Sequence, residues 1–182
     1  AITTITVGGE FDLGLFVRDL RPAGMWTNEA GVSRPLVRGV FAAYCDVAFQ
    51  SALVGIAGAP QYSPNYSNGL RGAISPGKLE DLGAFANSFS GLGSSPLEVW
   101  RVRAKALKAG TVNFTVSLDV PHPVCDTLVY GNIGATPPED SHVATGEIKL
   151  TNATVTVTTP ATQPTTTTTI APSPITYKRR TK

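Results

Sequence analysis

Apolar and polar residues alternate at period two through much of the first 158 positions, and this alternation predicts strands. In residues 40–49, Phe41, Ala43, Cys45, Val47 and Phe49 fall on one face. In residues 111–120 the same is true of Val112, Phe114, Val116 and Leu118. Residues 97–106 set Leu97, Val99, Arg101 and Arg103 against Glu98, Trp100, Val102 and Ala104. The alternation is looser in residues 11–19, where Phe11, Leu13, Leu15 and Val17 share a face. Residues 2–7 suit a strand through their β-branched side chains. Residues 53–57 extend the sheet of residues 40–49 after a bend at Gln50 and Ser51, and residues 127–130 form a short apolar run. Residues 146–158 close the body; Ile148, Leu150, Ala153, Val155 and Val157 share a face if the chain bulges at Thr151 and Asn152.

Turn-forming sequence separates these runs. Residues 21–35 are polar, with Gly and Pro, and place Met25 and Trp26 as caps on one end of the core. Residues 58–77 are turn-rich and carry Tyr62, Tyr66 and three prolines. Residues 80–89 read as a strand or a helical turn, and helical spacing extends no further than residues 79–86 and 101–109. Eight or nine short strands predict an all-β, antiparallel β-sandwich over residues 1–158. Composition agrees: 42% of the 182 residues are hydrophobic and 15% charged, which excludes a disordered chain and a coiled coil. There is no apolar run long enough for a membrane-spanning helix.

Residues 159–182 are a different material. Eight of the twelve residues from 158 to 169 are Thr, and prolines at 160, 164, 172 and 174 interrupt any regular ladder. This composition predicts an extended tail open to glycosylation at Thr165, Thr166 and Thr167, with Asn65 as the acceptor of a sequon in the body. Charge divides the same way. All 13 acidic residues lie in the body, giving it a net −2, whereas Lys178, Arg179, Arg180 and Lys182 give the tail +4. A mildly acidic body without a basic patch excludes a nucleic-acid binder. The basic end reads as a solvated tail or processing site, or as an electrostatic dock onto an acidic neighbour. Docking on another copy would use Ile2, Ile5 and Val7 at one end and Ile170, Ile175, Tyr177, Lys178, Arg179 and Arg180 at the other, laid on a sheet edge.

Little in the chain resembles a reaction centre. His122 and His142 sit in loop sequence, and no nucleophile elbow or phosphate-binding loop is present. The adjacent acids Glu80-Asp81 and Glu139-Asp140 read as turn residues. Asp12, Asp19, Asp119 and Asp126 are candidates for a structural calcium, since oxygen-only sites leave little sequence trace. Cys45 and Cys125 are either a disulfide or two separately buried thiols. Trp26, Tyr62, Tyr66 and Trp100 read as packing residues, with a sugar-stacking platform as the alternative.

An ordered series of segments also carries a family resemblance. It comprises Asp-Leu-Arg-Pro at 19–22, Gly-Val-Phe-Ala-Ala-Tyr at 39–44 with Asp46 and Val47, and Tyr-Ser-Pro-Asn-Tyr-Ser-Asn-Gly at 62–69. It continues with Leu-Gly-Ala-Phe at 82–85, Gly-Thr-Val-Asn-Phe at 110–114, Leu-Val-Tyr-Gly at 128–131 and Pro-Pro-Glu-Asp at 137–140. The series resembles the cohesin-like β-sandwich repeats of large secreted proteins of planctomycete-type bacteria. The resemblance implies a jelly-roll-like sandwich on the outside of a cell. Two functions are expected: an extracellular, non-enzymatic structural subunit that self-assembles into a filament or layer through its terminal segments, or an adhesion module that binds carbohydrate or another surface protein.

Overall fold

The computed structural model describes residues 3–27, 30–35, 37–88, 91–118, 128–130 and 149–160; of Trp26 and Leu128 it describes the backbone only. The described residues form strands and connections, with no helix. Among the described residues there are thirteen strands: β1 (Thr4–Thr6), β2 (Glu10–Val17), β3 (Met25–Thr27), β4 (Ser33–Pro35), β5 (Val40–Ala48), β6 (Val54–Ile56) and β7 (Gln61–Tyr62). They continue with β8 (Asn68–Ser75), β9 (Lys78–Phe85), β10 (Leu97–Ala106), β11 (Gly110–Ser117), β12 (Leu128–Val129) and β13 (Ala153–Thr158).

Two sheets enclose the core. The larger runs β1-β13-β11-β5-β9-β8, with β12 alongside β5, and the smaller runs β2-β10-β6, with β7 also on β10. Among the described residues all pairings are antiparallel except β1 with β13, which is parallel. The inward faces follow the alternation read from the sequence. Phe11 of β2, Ala43, Cys45 and Val47 of β5, Trp100, Val102 and Ala104 of β10, and Val112 and Phe114 of β11 are buried in one cluster. Phe114 meets Phe11 edge-on with ring centres 6.1 Å apart, joining the two sheets.

Several expectations are corrected. Residues 54–56 do not extend the sheet of β5. A turn in which Leu53 and Val54 both donate to the Gln50 carbonyl carries the chain to the smaller sheet, where β6 pairs with β10. Residues 68–75, expected as turn sequence, form the eight-residue edge strand β8. Residues 25–27 and 33–35 form a hairpin outside both sheets, and Met25 is 59% exposed, so it caps nothing. Phe41 stands at a register shift between β5 and β12 and packs against both faces of the large sheet. β10 bulges at its register shift between Glu98 and Trp100, so Val99 is buried alongside Trp100. Leu150 is exposed, and β13 starts only after Thr151 and Asn152.

Candidate functional site

The outer face of the large sheet carries a second apolar cluster, distinct from the main core. It consists of Ala42 and Tyr44 on β5, with Phe41 and Phe85 packed against them. Phe41 and Phe85 stack with ring centres 5.7 Å apart. Two glycines make room for these rings. A Cβ on Gly83 would lie 2.2 Å from the Ala43 carbonyl oxygen and 2.5 Å from the Tyr44 ring. A Cβ on Gly69 would lie 2.2 Å from the Phe85 ring. The Tyr44 hydroxyl donates to the Gly69 carbonyl at 2.8 Å, and the Arg71 guanidinium sits 4.7 Å above the centre of the Tyr44 ring.

Next to the aromatic cluster lies a chain of charges. Between the Cys45–Leu82 and Val47–Leu79 pairs, β9 has two residues, Glu80 and Asp81, where β5 has only Asp46. Asp81 takes a φ of 49°, a left-handed conformation that Asp tolerates better than most residues. Its N–H, displaced from the ladder by this bulge, donates to Asp46 Oδ1 at 2.7 Å. The Asp81 carboxylate holds Arg71 at 2.7 Å, while Lys78 bridges Asp46 at 2.9 Å and Glu80 at 3.0 Å. Hydrogen bonds from Lys78 to Asp46 and Glu80 push its pKa up to about 12, so the ammonium stays charged at any physiological pH. The face therefore sets fixed aromatic rings beside an array of three carboxylates and two cations in which Glu80 is exposed, Arg71 and Lys78 are half-buried, and Asp46 and Asp81 are largely covered. The Glu80-Asp81 acids, read from sequence as turn residues, prove to be the bulge at its centre.

The other expected site residues are placed as follows. Ile5 and Val7 pack against the main core, and β1 pairs with β13 of its own chain, so this segment is not a free donor strand. Asn65 is exposed in the β7–β8 connection, where its amide N–H donates to the Ser63 hydroxyl. Cys45 is a free, buried thiol. Burial, with the nearby Asp46 and Asp81 charges, pushes its pKa up to about 12. Ile2, Cys125, His122, His142, Glu139, Asp140, Asp119, Asp126 and the tail residues Thr165, Thr166, Thr167, Ile170, Ile175, Tyr177, Lys178, Arg179 and Arg180 lie outside the described residues.

Of the calcium candidates, Asp12 and Asp19 lie among the described residues, and of the sugar-platform rings, Tyr62, Tyr66 and Trp100 do. Asp12 pairs with Arg103 at 2.7 Å on the outer face of the small sheet. Asp19, 3% exposed, receives the Arg21 guanidinium on both oxygens, with the Arg21 and Gly39 amides at 2.9 and 2.7 Å. Burial alone would raise the Asp19 pKa; the Arg21 guanidinium and the two amides outweigh it and hold the carboxyl below its usual value. Arg21 also donates to the Tyr130 and Val37 carbonyls. Asp19 is thus a structural tie rather than a cation ligand. Among the described residues, no group of three His, Cys, Asp or Glu side chains could hold a metal. Tyr66 and Trp100 are buried, and the Trp100 indole N–H donates to the Leu82 carbonyl at 3.1 Å, so neither ring can stack on a sugar.

No family model matches the sequence, and no curated protein matches it. Solved structures do resemble the fold. The CaCohA2 cohesin of Clostridium acetobutylicum, solved in complex with CaDoc0917, superposes with a TM-score of 0.52 at 11% identity, over 86% of this chain and 95% of that one. The seventh ScaB type I cohesin of Pseudobacteroides cellulosolvens gives 0.50 at 11% identity, over 88% and 90%. The sixth cohesin of Acetivibrio cellulolyticus scaffoldin B, solved with a Cel5 dockerin, gives 0.50 at 12% identity, over 86% and 94%. These sources carry the cohesin part of the sequence resemblance and not its planctomycete part. At these identities the comparisons establish the architecture: the chain folds as a cohesin-like β-sandwich.

Proposed function

We propose that the chain is a non-catalytic, extracellular protein-binding module that takes a dockerin-like partner on the outer face of its large sheet. The observation that carries this reading is the face itself: an aromatic cluster fixed by Gly69 and Gly83, beside the exposed Glu80 and the half-buried charges of Lys78, Arg71 and Asp81. Packed apolar groups beside complementary charges are what a specific protein interface needs. Two of the cohesins sharing the fold were solved in complexes with dockerin partners, which supports the same reading. The self-assembling subunit expected from the sequence draws no such support, so the binding module becomes the main reading.

Type I dockerins immobilised on a sensor surface provide the test. The native chain is expected to bind at least one of them. The charge-reversed pair Lys78→Glu with Glu80→Lys keeps the net charge and is expected to weaken that binding at least about tenfold, with an unchanged circular dichroism spectrum. Absence of binding to every dockerin, or equal binding by the variant, would count against this face.

A further inference from the structure

The small sheet turns one face away from the core. Along β2 its outward positions are Glu10, Asp12, Gly14 and Phe16, and along β10 they are Glu98, Arg101, Arg103 and Lys105. The register sets Asp12 beside Arg103, Gly14 beside Arg101 and Phe16 beside Glu98. Gln61 of β7 flanks Arg101 from the other side. The Phe16 ring is laid down along its strand. A Cβ on Gly14 would lie 3.1 Å from its Cε2 and 3.8 Å from its Cζ, so the ring reaches back over Gly14. A side chain at position 14 would hold the ring off the sheet. One side of the ring rests on the backbone, and Phe16 is nevertheless 61% exposed. Charged pairs frame it. Glu98 accepts from Nε and Nη2 of Arg101 at 2.7 and 3.1 Å, and Asp12 holds Arg103 at 2.7 Å. Arg101, Arg103 and Asp12 remain about half-exposed. A bidentate pair fixes both groups and still leaves N–H donors and carboxylate lone pairs for a third partner. The acids Glu10, Asp12 and Glu98 balance the bases Arg101, Arg103 and Lys105, so these outward residues are neutral in sum.

We infer that this face is a carbohydrate-binding site, in which Phe16 stacks on the C–H face of a neutral pyranose and the Arg101–Glu98 pair bonds its hydroxyls. Three features select a sugar. The first is charge: a polyanion such as a nucleic acid is held by a surplus of Lys and Arg, and here the charges cancel. The second is the setting of the ring. A protein interface buries an apolar core depleted in charge, as the Phe41–Phe85 cluster of the other sheet could supply. Phe16 instead lies among ion pairs, which suits a small polar ligand with one apolar side. The third is hydrogen bonding. A sugar hydroxyl both donates and accepts, and an Arg fork joined to a carboxylate offers both functions at one place. The electron-rich face of the ring matches the weakly positive C–H groups of the sugar. A β-linked glucose residue fits best, because its substituents are all equatorial and both of its faces are C–H only. The expected platform rings Tyr66 and Trp100 are buried, and Phe16 takes the role they were read for.

Titration of the isotope-labelled full chain with cellohexaose, a β-linked glucose oligomer, followed by two-dimensional NMR, tests this. The expected result is saturable shifts of the Gly14, Phe16, Glu98 and Arg101 amides with a millimolar Kd, as one ring and a few hydrogen bonds provide. Phe16→Ala is expected to weaken binding at least about fivefold, and Phe16→Tyr, which keeps the ring, to stay within about twofold of the native chain. An unchanged amide pattern away from the site shows that the variants remain folded. Absence of shifts at millimolar sugar, equal binding by Phe16→Ala, or shifts centred on Tyr44 and Phe85 would each overturn the inference. Shifts at Phe16 on raising the protein concentration alone would overturn it too, because the occupant would then be a second copy. Dockerin binding does not enter this readout, so the inference and the proposed function fail separately.

Discussion

Replacing Asp19 with alanine removes a carboxylate that four N–H groups converge on. Its side chain is 1% exposed and that of Arg21 is 33% exposed. Deleting one member of a buried ion pair costs about 3–5 kcal/mol, because the remaining charge is left without a partner. Water reaching the exposed third of Arg21 offsets part of that cost, so the expected loss is about 2–4 kcal/mol. The Gly39 amide, which donates to Asp19 at 2.7 Å, also loses its acceptor. Asp19→Asn keeps an acceptor for the amides and loses only the charge, so it should cost about half as much. Urea unfolding followed by the emission of the buried Trp100 measures both, and an unchanged slope would show that stability alone has moved. The pH dependence supplies a second check. The Asp19 pKa lies lower in the folded chain than in the unfolded one. Its stabilisation is therefore fully present above the unfolded value of about 4 and is lost as pH falls through the folded value. The gap between the native chain and Asp19→Asn should stay constant near neutrality and close in acid. A loss under about 0.5 kcal/mol for Asp19→Ala, or a gap that does not narrow in acid, would refute the ion-pair argument.

Gly83→Ala forces a Cβ to 2.2 Å from the Ala43 carbonyl oxygen, which is backbone and cannot swing aside. Thermal melting should show a destabilisation of about 2 kcal/mol or more, and a wild-type melting temperature would contradict the packing described for the outer face. Cys45 should resist iodoacetamide in the native state and react once unfolded, because burial both shields the thiol and keeps it protonated. Peptide mapping that finds Cys45 alkylated in the native chain would contradict this placement.

What the sequence disclosed depended on which faces were buried. β2, β10 and β11 each bury mainly one face, and β5 turns alternate residues into the main core, so their alternation marked both the strands and their inward residues. β8 was hidden because both of its faces are largely exposed and its glycines interrupt any period. β6 was assigned to the wrong sheet because its apolar pattern is the same in either one; the turn at Gln50 alone decides. The outer face was the least legible part. Tyr44 looked like the exposed partner of an alternating strand, and only three-dimensional proximity to Gly69, Gly83 and Phe85 buries it. The sole sequence signal for the bulge was the adjacent pair Glu80-Asp81, and such pairs are far more common in turns.

The parallel pairing of β1 with β13 bears on how the fold would respond to force. The chain enters this ladder beside Thr156, which donates to the Thr3 carbonyl at 2.9 Å, and leaves it at Thr158, which accepts from Val7 at 2.8 Å. Entry and exit lie at opposite ends of two strands that point the same way. Tension applied through residues 3 and 159 therefore slides the strands along each other and loads every rung together, instead of peeling them open one at a time. A domain pulled from both flanks would meet its first resistance in this short ladder, before any strain reached the core.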